Sequence, residues 1–170
     1  MRRTAIIAAL AAALALTVIF AGCAGEGPQP RSGGSAQTPN PVVEYDDASA
    51  FETLGVSIDA PEDASEAGYS IIGGALAQVK FTLDGSEYTY RAQKTDEDIS
   101  GVYETFEDGQ THLDATFKDG CIGIDIKSVK DSDAKLATWS VNGINFSLYS
   151  GSVTLDAIQS AALTLAEKQL

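Results

Sequence analysis

Residues 78–90 have the sequence QVKFTLDGSEYTY, and this stretch decides the fold. Apolar and polar side chains alternate on both sides of Asp84 and Gly85, a dipeptide that tolerates the positive φ angles of a type I′ turn. A two-residue loop at this dipeptide places three pairs opposite one another: Val79 and Tyr90, Phe81 and Tyr88, and Leu83 and Ser86. The predicted hairpin therefore has one apolar, aromatic face and one polar face.

Two more dipeptides of this kind predict further hairpins. A loop at Asp119 and Gly120 sets Leu113, Ala115 and Phe117 against Ile126, Ile124 and Ile122, and a loop at Asn142 and Gly143 sets Ala137, Trp139 and Val141 against Leu148, Phe146 and Ile144. A shift of one residue would turn each apolar set to the wrong face. A two-residue loop at Asp108 and Gly109 does not separate the flanking side chains into an apolar and a polar face, so a longer or bulged connection is expected there.

A short helix is predicted before these hairpins. Either Asp47 or Ser49 is placed to cap a helix that runs through Leu54, and Glu52 has the spacing of a capping box. Gly55 is the residue expected to end the helix, because glycine adopts the left-handed conformation of a C-cap.

A second helix is predicted at the C-terminus, with Thr154 as its cap. Its apolar residues form one stripe, which is typical of a helix that faces a core: Leu155, Ile158, Ala162 and Leu165. The sequence as a whole predicts an α+β fold. We expect a twisted antiparallel β-meander of six to eight strands packed against short N-terminal and C-terminal helices, with the other sheet face partly exposed.

The first residues have the pattern of an export signal, because Arg2 and Arg3 precede an unbroken run of apolar and small residues at positions 4–21. The residues that end this run resemble the lipobox of bacterial lipoproteins: Phe20, Ala21, Gly22 and Cys23. In that motif the cysteine receives a diacylglyceryl group before cleavage. The alternative is an uncleaved membrane helix, because the run is close to the ~18 residues that span a bilayer.

The resemblance predicts a lipoprotein signal peptide at residues 1–22 and a lipid anchor at Cys23, with the rest of the chain outside the cytoplasm. Residues 23–41 are rich in Gly, Pro, Ser and Gln and are expected to form a flexible tether. Residues 42–170 have the usual size of a single extracellular domain.

The chain is acidic, with a net charge of −13. Removing residues 1–22 removes only Arg2 and Arg3, so the mature protein would carry −15. This charge disfavours nucleic acid and anionic lipid surfaces as partners, so the expected membrane association is covalent, through Cys23. Because Cys121 is then the remaining cysteine, no internal disulfide is predicted.

Three segments resemble one family of bacterial domains: Tyr90 with Arg91, residues 98–101 with Tyr103, and residues 136–139. This part of the chain is similar to an uncharacterised extracellular domain of bacterial lipoproteins, which also occurs behind the membrane segment of anti-sigma-factor-like proteins. The likeness runs from about Asn40 to the C-terminus. It implies the fold and the location, and it implies no activity.

Four residues of this segment are expected to form a structural corner: Arg91, Asp98, Ser100 and Gly101. Asp and Ser cap turns, Gly tolerates unusual dihedral angles, and an Arg91–Asp98 pair would fix the bend between two strands. Two acidic clusters, Asp96–Glu97–Asp98 and Asp131 with Asp133, offer the oxygen ligands that calcium prefers, but neither matches the spacing of a known calcium loop. No metal or cofactor is predicted.

Catalysis by a histidine would have to use His112, the only one in the chain. The hairpin pairing places His112 and Cys121 on the polar face among acidic residues, where a surface histidine and an unactivated thiol are expected. No enzyme activity is predicted.

Three functions remain open. The first is a non-catalytic surface module that binds or senses a protein, a peptide or another envelope component. It would use a polar sheet face made of Thr82, Thr89, Thr138, Ser140, Asn145 and Ser147. The second is a carrier or sensor of an apolar ligand between sheet and helices. The third is a hydrolase that uses acidic residues.

Overall fold

The computed structural model describes residues 41–170. The proposed signal peptide, Cys23 and the tether up to residue 40 lie outside the described residues. The elements follow in chain order as β1 (Val42–Tyr45), a 3₁₀ helix (Ala48–Leu54), β2 (Ser65–Ile72), β3 (Leu76–Leu83), β4 (Ser86–Gln93), β5 (Thr111–Phe117), β6 (Gly120–Ser128), β7 (Lys135–Val141), β8 (Ile144–Ser150) and α1 (Leu155–Glu167).

The eight strands form one antiparallel sheet in the order β1-β2-β3-β4-β8-β7-β6-β5, which confirms the predicted α+β class. The order shows two meanders of four strands that meet where β4 pairs with β8. The chain passes from the first meander to the far edge of the second through residues 94–110, which we call the strap. Both helices pack on one face of the sheet, the inner face, and the strap lies on the outer face.

Two of the predicted hairpins have the predicted register. Val79 pairs with Tyr90 in one hairpin, and Trp139 pairs with Phe146 in the other. The loop residues have the positive φ angles that a type I′ turn requires: Asp84 50°, Gly85 79°, Asn142 52° and Gly143 77°.

The prediction for the third hairpin was wrong by two residues. Phe117 pairs with Gly120 rather than with Ile122, so the loop consists of Lys118 and Asp119. A shift of two residues leaves every side chain on the same face, so the apolar alternation could not distinguish the two registers. Asp108 and Gly109 belong to the strap and form no hairpin turn.

Asp47 caps the first helix, since its Oδ1 accepts a hydrogen bond from the backbone N–H of Ser49 at 2.9 Å. The capping-box role predicted for Glu52 is wrong, because with Asp47 as the cap its third helical position falls on Ala50. Gly55 ends this 3₁₀ helix with a φ of 67°, as expected. The helix buries Ala50 and Phe51 against the inner face.

Thr154 caps α1 as predicted, and its Oγ1 accepts from the N–H of Ala157 at 3.2 Å. Three residues of the predicted stripe, Ile158, Ala162 and Leu165, are buried. Leu155 was predicted to belong to the stripe and is instead 37% exposed at the first position of the helix, one turn before the first buried residue, Ile158. No helix within residues 41–170 has the length and apolarity needed to cross a bilayer.

The core lies between the inner face and the two helices. At its centre the rings of Tyr90, Trp139 and Phe146 stack with centroid distances of 5.6 to 6.3 Å. Burying an aromatic or aliphatic side chain fully contributes about 1.5–3 kcal/mol, so this face supplies most of the stability. Polar residues on the outer face are therefore less involved in core packing and can take part in function.

Candidate functional site

A row of polar side chains crosses the outer face of all eight strands. Each member is the cross-strand neighbour of the next: His112, Asp125, Thr138, Ser147, Arg91, Gln78, Ser70 and Glu44. Side chains opposite one another in a sheet lie close enough to interact directly. The sequence predicted Thr138 and Ser147 on this face, but it gave no sign that the row is continuous.

The middle of this row is buried, although a wet surface was expected there. Ser147 is 2% exposed, Gln78 6% and Ser70 7%. Gln78 Nε2 donates to Ser70 Oγ at 3.1 Å, and Arg91 Nε donates to Gln78 Oε1 at 2.9 Å. The expectation of an exposed Ser147 was wrong because the strap covers the centre of the outer face.

Arg91 fastens the strap to the sheet. Its Nη1 donates to the backbone carbonyls of Ile99 at 3.3 Å and Ser100 at 2.5 Å. Asp98 Oδ1 accepts from the N–H of Ser100 at 2.8 Å, and Ser100 Oγ accepts from the N–H of Val102 at 3.2 Å. The structure thus brings the four predicted corner residues together. Within residues 41–170 no ion pair joins Arg91 to Asp98, because Asp98 caps the turn of the strap instead.

Gly101 permits the close approach of Arg91. It has a φ of 63°, and a Cβ at this position would overlap Arg91 Nη1. A side chain there would therefore both strain the backbone and displace the guanidinium. Burial lowers the pKa of Arg91, and the nearby Tyr103 and Asp98 counteract this effect. The guanidinium keeps its charge, since arginine is protonated at every relevant pH.

Other contacts hold the strap on both sides of its corner. Asn145 Nδ2 donates to the carbonyl of Glu97 at 3.0 Å. Near its end, Phe106 forms an isolated bridge with Val129, and the N–H of Glu107 donates to the carbonyl of Ser128 at 2.9 Å. The strap is therefore held at its start, its corner and its end, and the gaps between these points form clefts.

One of these gaps is an acidic cleft with a volume of about 560 Å³ between the strap and strands β6 to β8. Its acids are Asp96, Glu97, Asp98 and Asp125, and its other lining side chains include Ile99, Phe106, Lys127, Thr138, Ser140 and Asn145. Lys127 places its Nζ 5.7 Å from the centroid of the Phe106 ring. The protein thus already holds one cation against the aromatic wall of this cleft.

His112 lies at the β5 end of the polar row, between two carboxylates. Its Nδ1 is 2.7 Å from Asp125 Oδ1, and its Nε2 is 3.3 Å from Asp114 Oδ1. The hydrogen bond with Asp125, followed by that with Asp114, raises the pKa of His112 above its ordinary value of 6.5. The imidazole is 52% exposed, in agreement with the prediction of a surface histidine.

This arrangement predicts a pH dependence of stability. Because the folded state raises the pKa of His112, protonated His112 stabilises the fold below pH 6.5, and the contribution is lost as the pH rises through the raised value. We expect Asp125→Asn to lower the pKa of His112, measured by NMR on the single histidine of the chain. The difference in unfolding free energy between wild type and His112→Gln should shrink with rising pH, and a constant difference would contradict this assignment.

The remaining candidates are Cys121 and the acidic residues considered as metal ligands. Cys121 is exposed, as expected, and its Sγ lies 3.6 Å from Thr116 Oγ1. Within residues 41–170 no group of three His, Cys, Asp or Glu residues is arranged to hold a metal ion. Neither acidic cluster, Asp96–Glu97–Asp98 or Asp131 with Asp133, is therefore arranged as a metal site.

No family model, curated protein or solved structure matches this chain. The likeness to the extracellular lipoprotein domain therefore stays a prediction from the sequence, and the function has to be argued from the geometry of the outer face.

Proposed function

We propose that this protein is a lipid-anchored surface lipoprotein whose domain binds a ligand without catalysis. The proposal combines the lipobox at Cys23 with the acidic cleft, and the cleft is the observation that carries the binding function. Its volume of about 560 Å³ is within the range of small-molecule and peptide sites.

The ligand proposed for the acidic cleft is a cationic group, such as a lysine side chain of a peptide or another amine. Four carboxylates and the ring of Phe106 are among the groups that line the cleft, and carboxylates and ring faces both attract a cation. Lys127 against Phe106 is an example of the same contact within the chain. An amine ligand would share the cleft with Lys127 and be repelled by it.

The repulsion gives a prediction that increases affinity. We expect Lys127→Met to tighten the binding of trilysine by about fivefold, which corresponds to about 1 kcal/mol for the removal of one nearby like charge. Methionine keeps an unbranched apolar side chain one atom shorter than lysine, and its thioether can pack against the Phe106 ring without a charge. The measurement is calorimetric titration of both proteins at the same ionic strength.

Lys118→Met is the matched control, because Lys118 lies in the β5–β6 loop and the substitution changes the net charge equally. If Lys118→Met tightened binding as much as Lys127→Met, trilysine would be bound by the overall charge alone. Triglutamate is the control ligand, and binding of triglutamate as tight as that of trilysine would refute a cationic ligand for the cleft.

The carrier hypothesis finds less support on the inner face. It needs an apolar cavity between sheet and helices, and the residues that meet there, Leu148, Ile158 and Leu165, are at most 1% exposed. Side chains this inaccessible to a water-sized sphere border no sizeable cavity. The hydrolase hypothesis needs two carboxylates of one cleft that are free to act on a substrate. In the acidic cleft, Asp98 is already engaged by the N–H of Ser100 and Asp125 by His112, so we favour binding over hydrolysis.

A further inference from the structure

A second cleft lies on the other side of the strap corner, and its charge is opposite to that of the acidic cleft. It has a volume of about 260 Å³ and lies between strands β3, β4 and β8 and residues 100–104 of the strap. We call it the basic cleft. Its sheet wall consists of Lys80, Thr89, Tyr149 and Arg91.

The sheet register explains why these four side chains converge. Lys80 pairs with Thr89, and Thr89 pairs with Tyr149, so the three lie in one row across the outer face. Arg91 is two residues beyond Thr89 and therefore belongs to the next row on the same face. The strap closes the space above both rows.

The charge of this cleft is unusual for the protein. The chain has 11 basic and 24 acidic residues, yet two cations and one acid line the cleft. Partial burial, and secondly the nearby carboxylate of Glu104, raise the pKa of the Tyr149 hydroxyl. With two cations and one acid, the lining of the cleft carries a net charge of +1, whereas the chain as a whole carries −13.

Arg91 is held in place before any ligand arrives. Its Nε and Nη1 are occupied by Gln78 and by the carbonyls of the strap, whereas Nη2 has no hydrogen-bond partner among residues 41–170. A guanidinium that is already fixed loses little conformational freedom when it binds an anion through its remaining nitrogen. Lys80 is exposed and supplies a mobile second cation.

We infer that the basic cleft is a binding site for a carboxylate, which Arg91 and Lys80 hold between the strap and the sheet. Arginine and lysine both form charge-assisted hydrogen bonds with carboxylates, and the hydroxyls of Thr89 and Tyr149 can add further contacts. The volume is smaller than that of drug-sized sites, so the cleft accommodates a small organic acid or the C-terminal end of a peptide. The inference goes beyond the proposed function and does not depend on the acidic cleft.

The test uses the full chain, ¹⁵N-labelled and purified in a non-ionic detergent. N-acetyl-Ala-Ala with a free carboxylate is titrated against N-acetyl-Ala-Ala-amide, which has the same shape and no charge. We expect the acid, and not the amide, to shift the NMR signals of the Ser100 and Gly101 amides and of Arg91 Nε. Acetate is titrated in parallel. Acetate binding as tight as the peptide acid indicates a small organic acid, and tighter binding of the peptide acid indicates a peptide C-terminus.

Lys80→Gln is the informative variant, because it removes a cation without touching the hydrogen bonds that hold the strap. We expect it to weaken binding of the peptide acid about tenfold, as for the loss of one charge-assisted contact. Lys118→Gln, with the same change in net charge, should bind like wild type. Three results would overturn the inference: equal shifts with the acid and the amide, no shift with either acid, or unchanged affinity in Lys80→Gln. Trilysine binding is measured in a separate titration, so a negative result for the basic cleft would not contradict the proposed function of the acidic cleft.

Discussion

Arg91→Met is expected to lower the free energy of unfolding by about 2–4 kcal/mol, the largest loss of stability that we predict for a residue on the outer face. Methionine fills similar space but donates no hydrogen bond. The substitution would leave the buried Oε1 of Gln78 without its donor, together with the carbonyls of Ile99 and Ser100. A buried acceptor without a partner costs more than the hydrogen bond itself contributes.

The loss should be measured by chemical denaturation and by hydrogen exchange. We expect a lower denaturation midpoint with little change in slope, because the surface exposed on unfolding stays similar. The amides of Ser100 and Val102, which bond to Asp98 and Ser100 within the strap, should exchange at least about tenfold faster.

Lys80→Met is the matched control for this substitution. Lys80 lies on the same face, on the strand next to Arg91, and it is exposed with no hydrogen bond to the strap. Its replacement should change the unfolding free energy by no more than about 0.5 kcal/mol. Equal effects of the two substitutions, or unchanged exchange of the strap amides in Arg91→Met, would show that Arg91 does not hold the strap.

The strap also explains which part of the fold the sequence could specify. Local signals determine hairpins, so Asp84–Gly85 and Asn142–Gly143 were sufficient to set two registers through their positive φ angles. The β5–β6 hairpin shows the limit of this reasoning. Its apolar pattern has a period of two. The register that pairs Phe117 with Gly120 and the register that pairs Phe117 with Ile122 satisfy this pattern equally well.

The pairing of β4 with β8 has no local signal at all. These strands are separated in the chain by the strap and by strands β5 to β7, and nothing in their sequences distinguishes this neighbour from another. The candidate site depends on this pairing, because it sets Arg91 beside Ser147 and directs the strap across the outer face. The residue types of the corner were readable from the sequence, whereas the partners of Arg91 were not.

The sequence predicted on which face of the sheet each polar residue lies, but it did not predict which of them are buried. Ser147 and Thr138 alternate with apolar neighbours in the same way, yet Ser147 is buried and Thr138 is only partly so. The difference comes from residues 94–110, a segment without regular periodicity. Gln78 shows the same limit. A glutamine in a strand predicts a solvent-facing position, whereas this side chain is buried and connects Ser70 to Arg91.

The second large effect is expected at Cys23, where substitution should abolish lipidation and signal cleavage together. In lipoproteins the diacylglyceryl group is added before the signal peptide is removed, so Cys23→Ser should keep residues 1–22 and carry no lipid. The measurement is the intact mass of the protein isolated from its membrane. Retention in the membrane is not diagnostic by itself, because an uncleaved run of ~18 apolar residues also inserts into a bilayer.

Cys121→Ser is the control that makes the result specific to position 23. Cys121 is exposed on the outer face beside Thr116, so its replacement should leave both processing and lipid mass as in wild type. An unprocessed, lipid-free wild type would establish the alternative of an uncleaved membrane helix. Normal processing of Cys23→Ser would refute lipidation at Cys23. Because anionic lipids repel a strongly acidic domain, the processed variant should then be released from the membrane.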